Sequence, residues 1–105
     1  MPKYLIQASY TAEGAKGLLN EGASGRRKAV EKAAKSLGGK VDSIYWTFGE
    51  HDTILILDLP DNTAAAALSL AVGSSGAVRI ATTPLITAQE VDAACKQAVQ
   101  YRPPG

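Results

Sequence analysis

The stretch from Tyr45 to Leu59, Tyr-Trp-Thr-Phe-Gly-Glu-His-Asp-Thr-Ile-Leu-Ile-Leu-Asp-Leu, constrains the fold more than any other part of the chain. It joins an aromatic half-strand, a glycine-led turn that holds the single histidine, and a nearly unbroken apolar strand. Side chains alternate between the two faces of a strand. From His51 onward one face therefore carries His51, Thr53, Leu55, Leu57 and Leu59, and the other carries Asp52, Ile54, Ile56 and Asp58. Both faces are apolar in the middle. A strand wet on one side shows apolar residues on one face only, so this one is predicted to be covered on both. Before the turn, Asp42, Ile44, Trp46 and Phe48 share one face and Val41, Ser43, Tyr45 and Thr47 the other, a more amphipathic strand. Gly49 supplies the freedom that a tight connection needs.

The flanking segments can be read as what packs around this hairpin. Lys3 to Tyr10 alternates as a first strand, with Tyr4, Ile6, Ala8 and Tyr10 on one face. Thr11 has the chemistry of an N-cap, with Glu13 favouring the positive end of the helix dipole. The spacing predicts a short helix over Ala12–Asn20, a bend at Gly22, Ser24 and Gly25, and a longer helix from about Gly25 whose Ala29, Val30, Ala33, Ala34 and Leu37 face inward. Gly38-Gly39 ends it. Pro60 closes the apolar strand, and Asp61 and Asn62 are caps for an alanine-rich helix from Thr63 to about Val72. Ala77 to Leu85 is a fourth strand, with Pro84 restricting it to an edge or an end. Thr87 and Glu90 form a capping box for a last helix through Val99. One domain over residues 1–100 is followed by an extended tail over 101–105.

Hairpin-linked strands flanked by two crossover helices give the split βαββαβ, ferredoxin-like α+β arrangement. Right-handed crossovers put both helices on one face of the antiparallel sheet, with the first and third strands central. The other face is left open, yet the third strand is apolar there. Leaving several aliphatic side chains wet costs about 1.5–3 kcal/mol each relative to burial. A second copy of the sheet, in a homodimer or a higher homo-oligomer, is the favoured cover. The terminal helix folding back is the alternative. Tyr101 and Arg102 make the tail a further candidate for contact with a neighbouring subunit.

Composition narrows the function classes. Eleven basic and ten acidic side chains leave a formal charge of +1, which gives no reason to expect nucleic acid or an acidic membrane as a partner. Cys95 is the only cysteine, so neither an internal disulfide nor a cysteine metal cluster can form within one chain. No apolar run approaches the ~20 residues of a membrane helix, and the amino terminus has no signal-like core; a cytoplasmic protein is expected.

His51 and Asp52 are the candidates for acid–base chemistry, imidazole being the usual proton carrier near neutral pH. Neighbours on a strand point to opposite faces, however, which sets Asp52 badly to orient His51. Tyr10, Tyr45, Trp46, His51 and Arg79 are candidate ligand-binding residues, since aromatic rings with a few polar tips line small-molecule pockets. One histidine and one cysteine cannot supply a usual metal set. No cofactor is expected, heme through His51 being the alternative. Arg26-Arg27-Lys28 reads as a solvated helix face, and Cys95 as a small buried hydrophobe.

The segments Tyr4-Leu5-Ile6, Thr11-Ala12-Glu13-Gly14, Arg26-Arg27, Leu37-Gly38-Gly39, Phe48-Gly49, Asp52, Asp58-Leu59-Pro60, Ser75-Gly76-Ala77-Val78 and Thr82-Thr83-Pro84 closely resemble the bacterial GYD-domain proteins. The resemblance covers nearly the whole chain. It implies the dimeric α/β-barrel superfamily, in which two ferredoxin-like sheets pack face to face, and it implies no established activity. Relatives in that superfamily include heme-handling proteins, small monooxygenases and isomerases, and regulatory ligand-binding modules. Gly49-Glu50-His51-Asp52 places His51 where the family usually has tyrosine; both residues donate a hydrogen bond, but tyrosine cannot replace an imidazole as a base near pH 7. The expected function is a non-catalytic small-ligand-binding or assembly protein; the alternative is a small cofactor-free or heme-dependent enzyme using His51.

Overall fold

Seven elements follow one another: β1 (Lys3–Tyr10), α1 (Ala12–Ser36), β2 (Lys40–Trp46), β3 (Thr53–Asp58), α2 (Asn62–Gly73), β4 (Val78–Leu85) and α3 (Ala88–Cys95). They are described by a computed structural model covering residues 1–105. The strands form one antiparallel sheet in the order β2-β3-β1-β4, the ferredoxin-like arrangement expected from the element order, with β1 and β3 central.

Strand register separates two faces of different character. Tyr4 pairs with Leu57, Ile6 with Leu55 and Ala8 with Thr53, and all six are buried. Leu59, Ile44, Ala65 and Leu68 complete this core beneath the helices. The opposite face places Leu5 beside Ile56, and Gln7 beside Ile54, with Tyr45 next to Ile54 on β2 and Leu85 at the end of β4. Leu5, Ile54 and Ile56 remain half-buried and Tyr45 exposed.

Two local departures from strict alternation matter. A bulge between Val41 and Ser43 shifts the β2 register, so Val41 joins Ile44 on the helix side and packs against the core. Asp42 lies instead with Lys3, whose Nζ is 3.2 Å from it. An extra residue in one strand re-aims its side chains in this way. The third strand also starts later than its apolar pattern implies: His51 and Asp52 belong to the turn, and pairing begins at Thr53.

α1 is an arch fastened at both ends. It is two helical pieces joined at Gly22, where φ is 79°, a conformation that glycine adopts without the penalty of a side chain. The bend falls within the expected interruption, although the second piece resumes before Gly25. At the first end the Thr11 N–H donates to the Ala77 carbonyl at 3.0 Å, and Gly14 lies so close that a Cβ there would run into that same oxygen. At the other end Gly39 lies equally close to the Asp58 carbonyl.

α3 is shorter than its sequence pattern, stopping at Cys95 rather than Val99. Its Thr87–Glu90 capping box forms as expected, but none of its residues is buried, so the last turn has no packing to hold it. Cys95 is exposed rather than buried for the same reason. Every residue from Ile86 to Gly105 is exposed, so the terminal helix does not shield the open sheet face of its own chain. The radius of gyration is 16.5 Å, against about 13 Å for a compact domain of this length, and the extents of 54 × 35 × 23 Å are those of an elongated molecule.

Candidate functional site

Between the arch of α1, α2 and the inner face of the sheet lies a half-open cavity of about 380 Å³. Alanine makes the room. Ala8, Ala29, Ala33, Ala71 and Ala77 all line it, beside larger apolar residues such as Ile6, Leu55 and Val72. Fifteen of its eighteen lining residues are hydrophobic, which makes it an apolar chamber with a few polar points, the usual composition of a small-molecule site.

The polar points gather where β1 ends and β3 and β4 begin. Tyr10, Thr53 and Ser75 line the cavity from that end, and Arg26 from the post-kink half of α1. The Trp46 Nε1–H donates to the Tyr10 hydroxyl at 3.2 Å, and the Thr53 and Tyr10 hydroxyls are bonded at 3.0 Å. Indole nitrogen is a donor only. The bond between the hydroxyls uses one of their two hydrogens, so one O–H is left over at the chamber wall. Arg26 pairs through Nη1 with Glu21 at 3.3 Å, across the bend at Gly22. Both side chains are more than a third exposed, and such a pair contributes about 0–1 kcal/mol.

The residues singled out in the sequence are divided by the fold. Tyr10 and Trp46 come together at the chamber. Tyr45 and Arg79 lie on the open sheet face: both are exposed, Tyr45 paired in register with Ile54 and Arg79 with Ser9. His51 is in the β2–β3 turn, where its carbonyl accepts a hydrogen bond from the Thr47 hydroxyl. Its ring is outside the chamber lining, which therefore offers no axial imidazole to a heme. Asp52 is committed elsewhere: its Oδ2 accepts from the Tyr10 N–H at 2.9 Å, and its own N–H donates to the Ala8 carbonyl at 2.9 Å. The carboxylate thus closes the end of β1 and fixes Tyr10, while His51 stands apart from it. No group of three or more His, Cys, Asp and Glu side chains is drawn together.

Sequence reasoning missed Arg26, grouping it with its solvated neighbours. A signal was present: Arg26, Ala29, Val30 and Ala33 stand at the i, i+3, i+4, i+7 spacing of one helix face. Arg27 and Lys28 fall off that stripe and are exposed.

A second charged cluster lies at the far end of the open face. Asp58 is buried, with its Oδ1 2.8 Å from Lys3 Nζ and its Oδ2 3.9 Å from Lys40 Nζ. The hydrogen bond from Lys3 holds the Asp58 carboxyl below its ordinary value of 3.8, outweighing the desolvation that acts the other way. Lys3 is raised above its ordinary 10.5 by the hydrogen bonds to Asp58 and Asp42.

Residues 4–95 match the profile of the GYD domain. The chain belongs to the GYD-domain family. No curated protein and no solved structure is similar enough to match, so the chemistry of this GYD domain has to be argued from its own residues. No helix is long and apolar enough to cross a membrane.

Proposed function

We propose that this GYD domain is a non-catalytic small-ligand-binding protein whose site is the chamber between α1, α2 and the sheet. The observation that carries the reading is a cavity of about 380 Å³ walled by hydrophobic residues in fifteen of eighteen positions. The cavity is half open to solvent, Ala71 and Ser75 of its lining being exposed, and its volume lies at the lower end of the ~300–1,000 Å³ of ligand pockets. A cofactor-free or heme-dependent enzyme acting through His51 fits less well, because Asp52 holds β1 and His51 is outside the lining. Native mass spectrometry of freshly purified protein, beside a denatured control, tests the reading. A non-covalent adduct lost on denaturation supports it, as does saturable uptake of added 1-decanol. Protein that carries nothing and takes up no decanol refutes it. Loss of a measurable turnover in His51→Ala with the fold intact would favour the enzyme instead.

Assembly through the open sheet face is a second reading, supported by Leu5, Ile54 and Ile56 standing half-covered at its centre. Completing the burial of these half-covered side chains in both copies contributes roughly 5–9 kcal/mol. Association costs about 4–15 kcal/mol, so the face alone gives a marginal dimer. The exposed Ile86, Val91, Val99 and Tyr101 of the C-terminal segment offer the additional apolar surface that a stable homo-oligomer needs.

A further inference from the structure

Resting on the chamber as a ligand site, we infer that its ligand is a monocarboxylate with an aliphatic or aromatic body, and that Arg26 recognises the carboxylate. Every polar side chain of the lining can donate a proton, and none is acidic. The Ser75 hydroxyl already donates to the Val72 carbonyl at 2.7 Å. What remains is the spare O–H of the Tyr10–Thr53 pair and the nitrogens of Arg26 that Glu21 leaves free, since that pair engages Nη1 alone. A guanidinium donates five hydrogens, accepts none, and stays charged throughout the physiological range. A chamber rich in spare donors is satisfied by a ligand that brings oxygen acceptors, and an anionic acceptor makes the stronger bonds.

Glu21 fits this assignment. Its carboxylate holds Arg26 across the bend at Gly22, and it is absent from the chamber lining. A ligand carboxylate reaching Arg26 from within competes with it or joins it. The volume sets the size of the body. A cavity of ~150 Å³ accepts a benzene ring, so about 380 Å³ holds roughly 15 non-hydrogen atoms, enough for a medium-chain or aryl carboxylate.

The test is isothermal titration of the intact protein with decanoate and with 1-decanol, each below its aggregation limit, in the wild type and in Arg26→Met and Glu21→Gln. Decanoate is expected to bind about 10- to 100-fold more tightly than decanol, the range of a charge-assisted hydrogen bond. Arg26→Met should remove that preference by weakening decanoate alone, and Glu21→Gln should tighten decanoate by freeing the guanidinium. A merely structural role for the pair would not move the two variants in opposite directions. Equal affinity for decanoate and decanol overturns the carboxylate assignment and leaves the chamber as a ligand site. Binding of neither overturns both. Undiminished decanoate binding by Arg26→Met overturns the role of Arg26. If that variant melts abnormally, the wild-type preference and the exposed Glu21→Gln change decide alone.

Discussion

Ala33→Leu puts the chamber itself to the test. Ala33 is half-buried on the post-kink half of α1 and lines the cavity. Leucine is nearly as good a helix former as alanine, so the helix itself contributes little to the difference. The substitution adds three carbons, and burying them contributes about 2.4 kcal/mol at ~0.8 kcal/mol each. Fixing the leucine rotamer costs about 0.5–1 kcal/mol, leaving a net gain of about 1.5–2 kcal/mol. Space is not the limit: six carbons of benzene occupy ~150 Å³, three need about half that, and the chamber measures about 380 Å³. At ~4–8 °C per kcal/mol for a domain of this size, the melting temperature followed by circular dichroism should rise by roughly 6–16 °C. Decanol binding should weaken in the same variant. A melting temperature that stays level or falls, as overpacking by about 1–3 kcal/mol would cause, refutes the reasoning: the walls would then already be in contact, with no chamber to fill.

Gly14→Ala and Gly17→Ala, in the same half-helix, should act in opposite directions. A Cβ at Gly14 strikes the Ala77 carbonyl, while one at Gly17 meets nothing within 4 Å; a loss of about 1–3 kcal/mol and a gain of about 0.5–1 kcal/mol are expected in urea unfolding. On the assembly reading, Ile56→Glu places a charge at the centre of the open face and should shift the native mass to that of a single chain and lower the melting temperature, since the stabilisation by the partner subunit is lost. An unchanged oligomer mass would exclude that face as the interface. The Asp58 carboxyl is depressed from 3.8 in the folded protein, so its contribution to stability is present above about pH 4 and is lost as pH falls through the lower folded value. Asp58→Asn should therefore melt below the wild type at pH 7, and the gap should close at strongly acidic pH. Lys3 is raised above 10.5, so its contribution is complete below that value and fades only in strong alkali.

The fold was legible where local chemistry and periodicity agreed. The Thr11, Asp61 and Thr87 caps, the glycine interruption of α1 and the doubly apolar β3 were all readable, and the element order they delimit, with right-handed crossovers, gives the sheet order. Non-local effects were not readable. The bulge at Asp42 moves Val41 to the helix side of β2 and Asp42 away from it, yet a single inserted residue leaves little mark on a short alternating run. The length of α3 depended on a packing partner that the folded chain does not supply. At the site, Tyr10 and Trp46 met because Thr53 pairs with Ala8 on one side and Trp46 on the other, which brings its hydroxyl and the indole within reach of Tyr10, the next residue along the same face of β1; Tyr45 and Arg79 fall on the opposite face of the sheet. Arg26 was obscured by Arg27 and Lys28, because a run of like charges looks uniform until each residue is placed on its own face of the helix.

The capped but uncovered α3 has a consequence for how this protein can be observed. Helices shorter than ~12–15 residues are marginal in water even with favourable sequences, and this one spans eight residues with none buried. Its amide hydrogens should therefore exchange with solvent deuterium almost freely in a solitary chain, and slowly wherever another surface lies across it. Exchange rates over Ala88–Cys95, followed on dilution, become a local gauge of self-association, recorded by the element that is least stable alone.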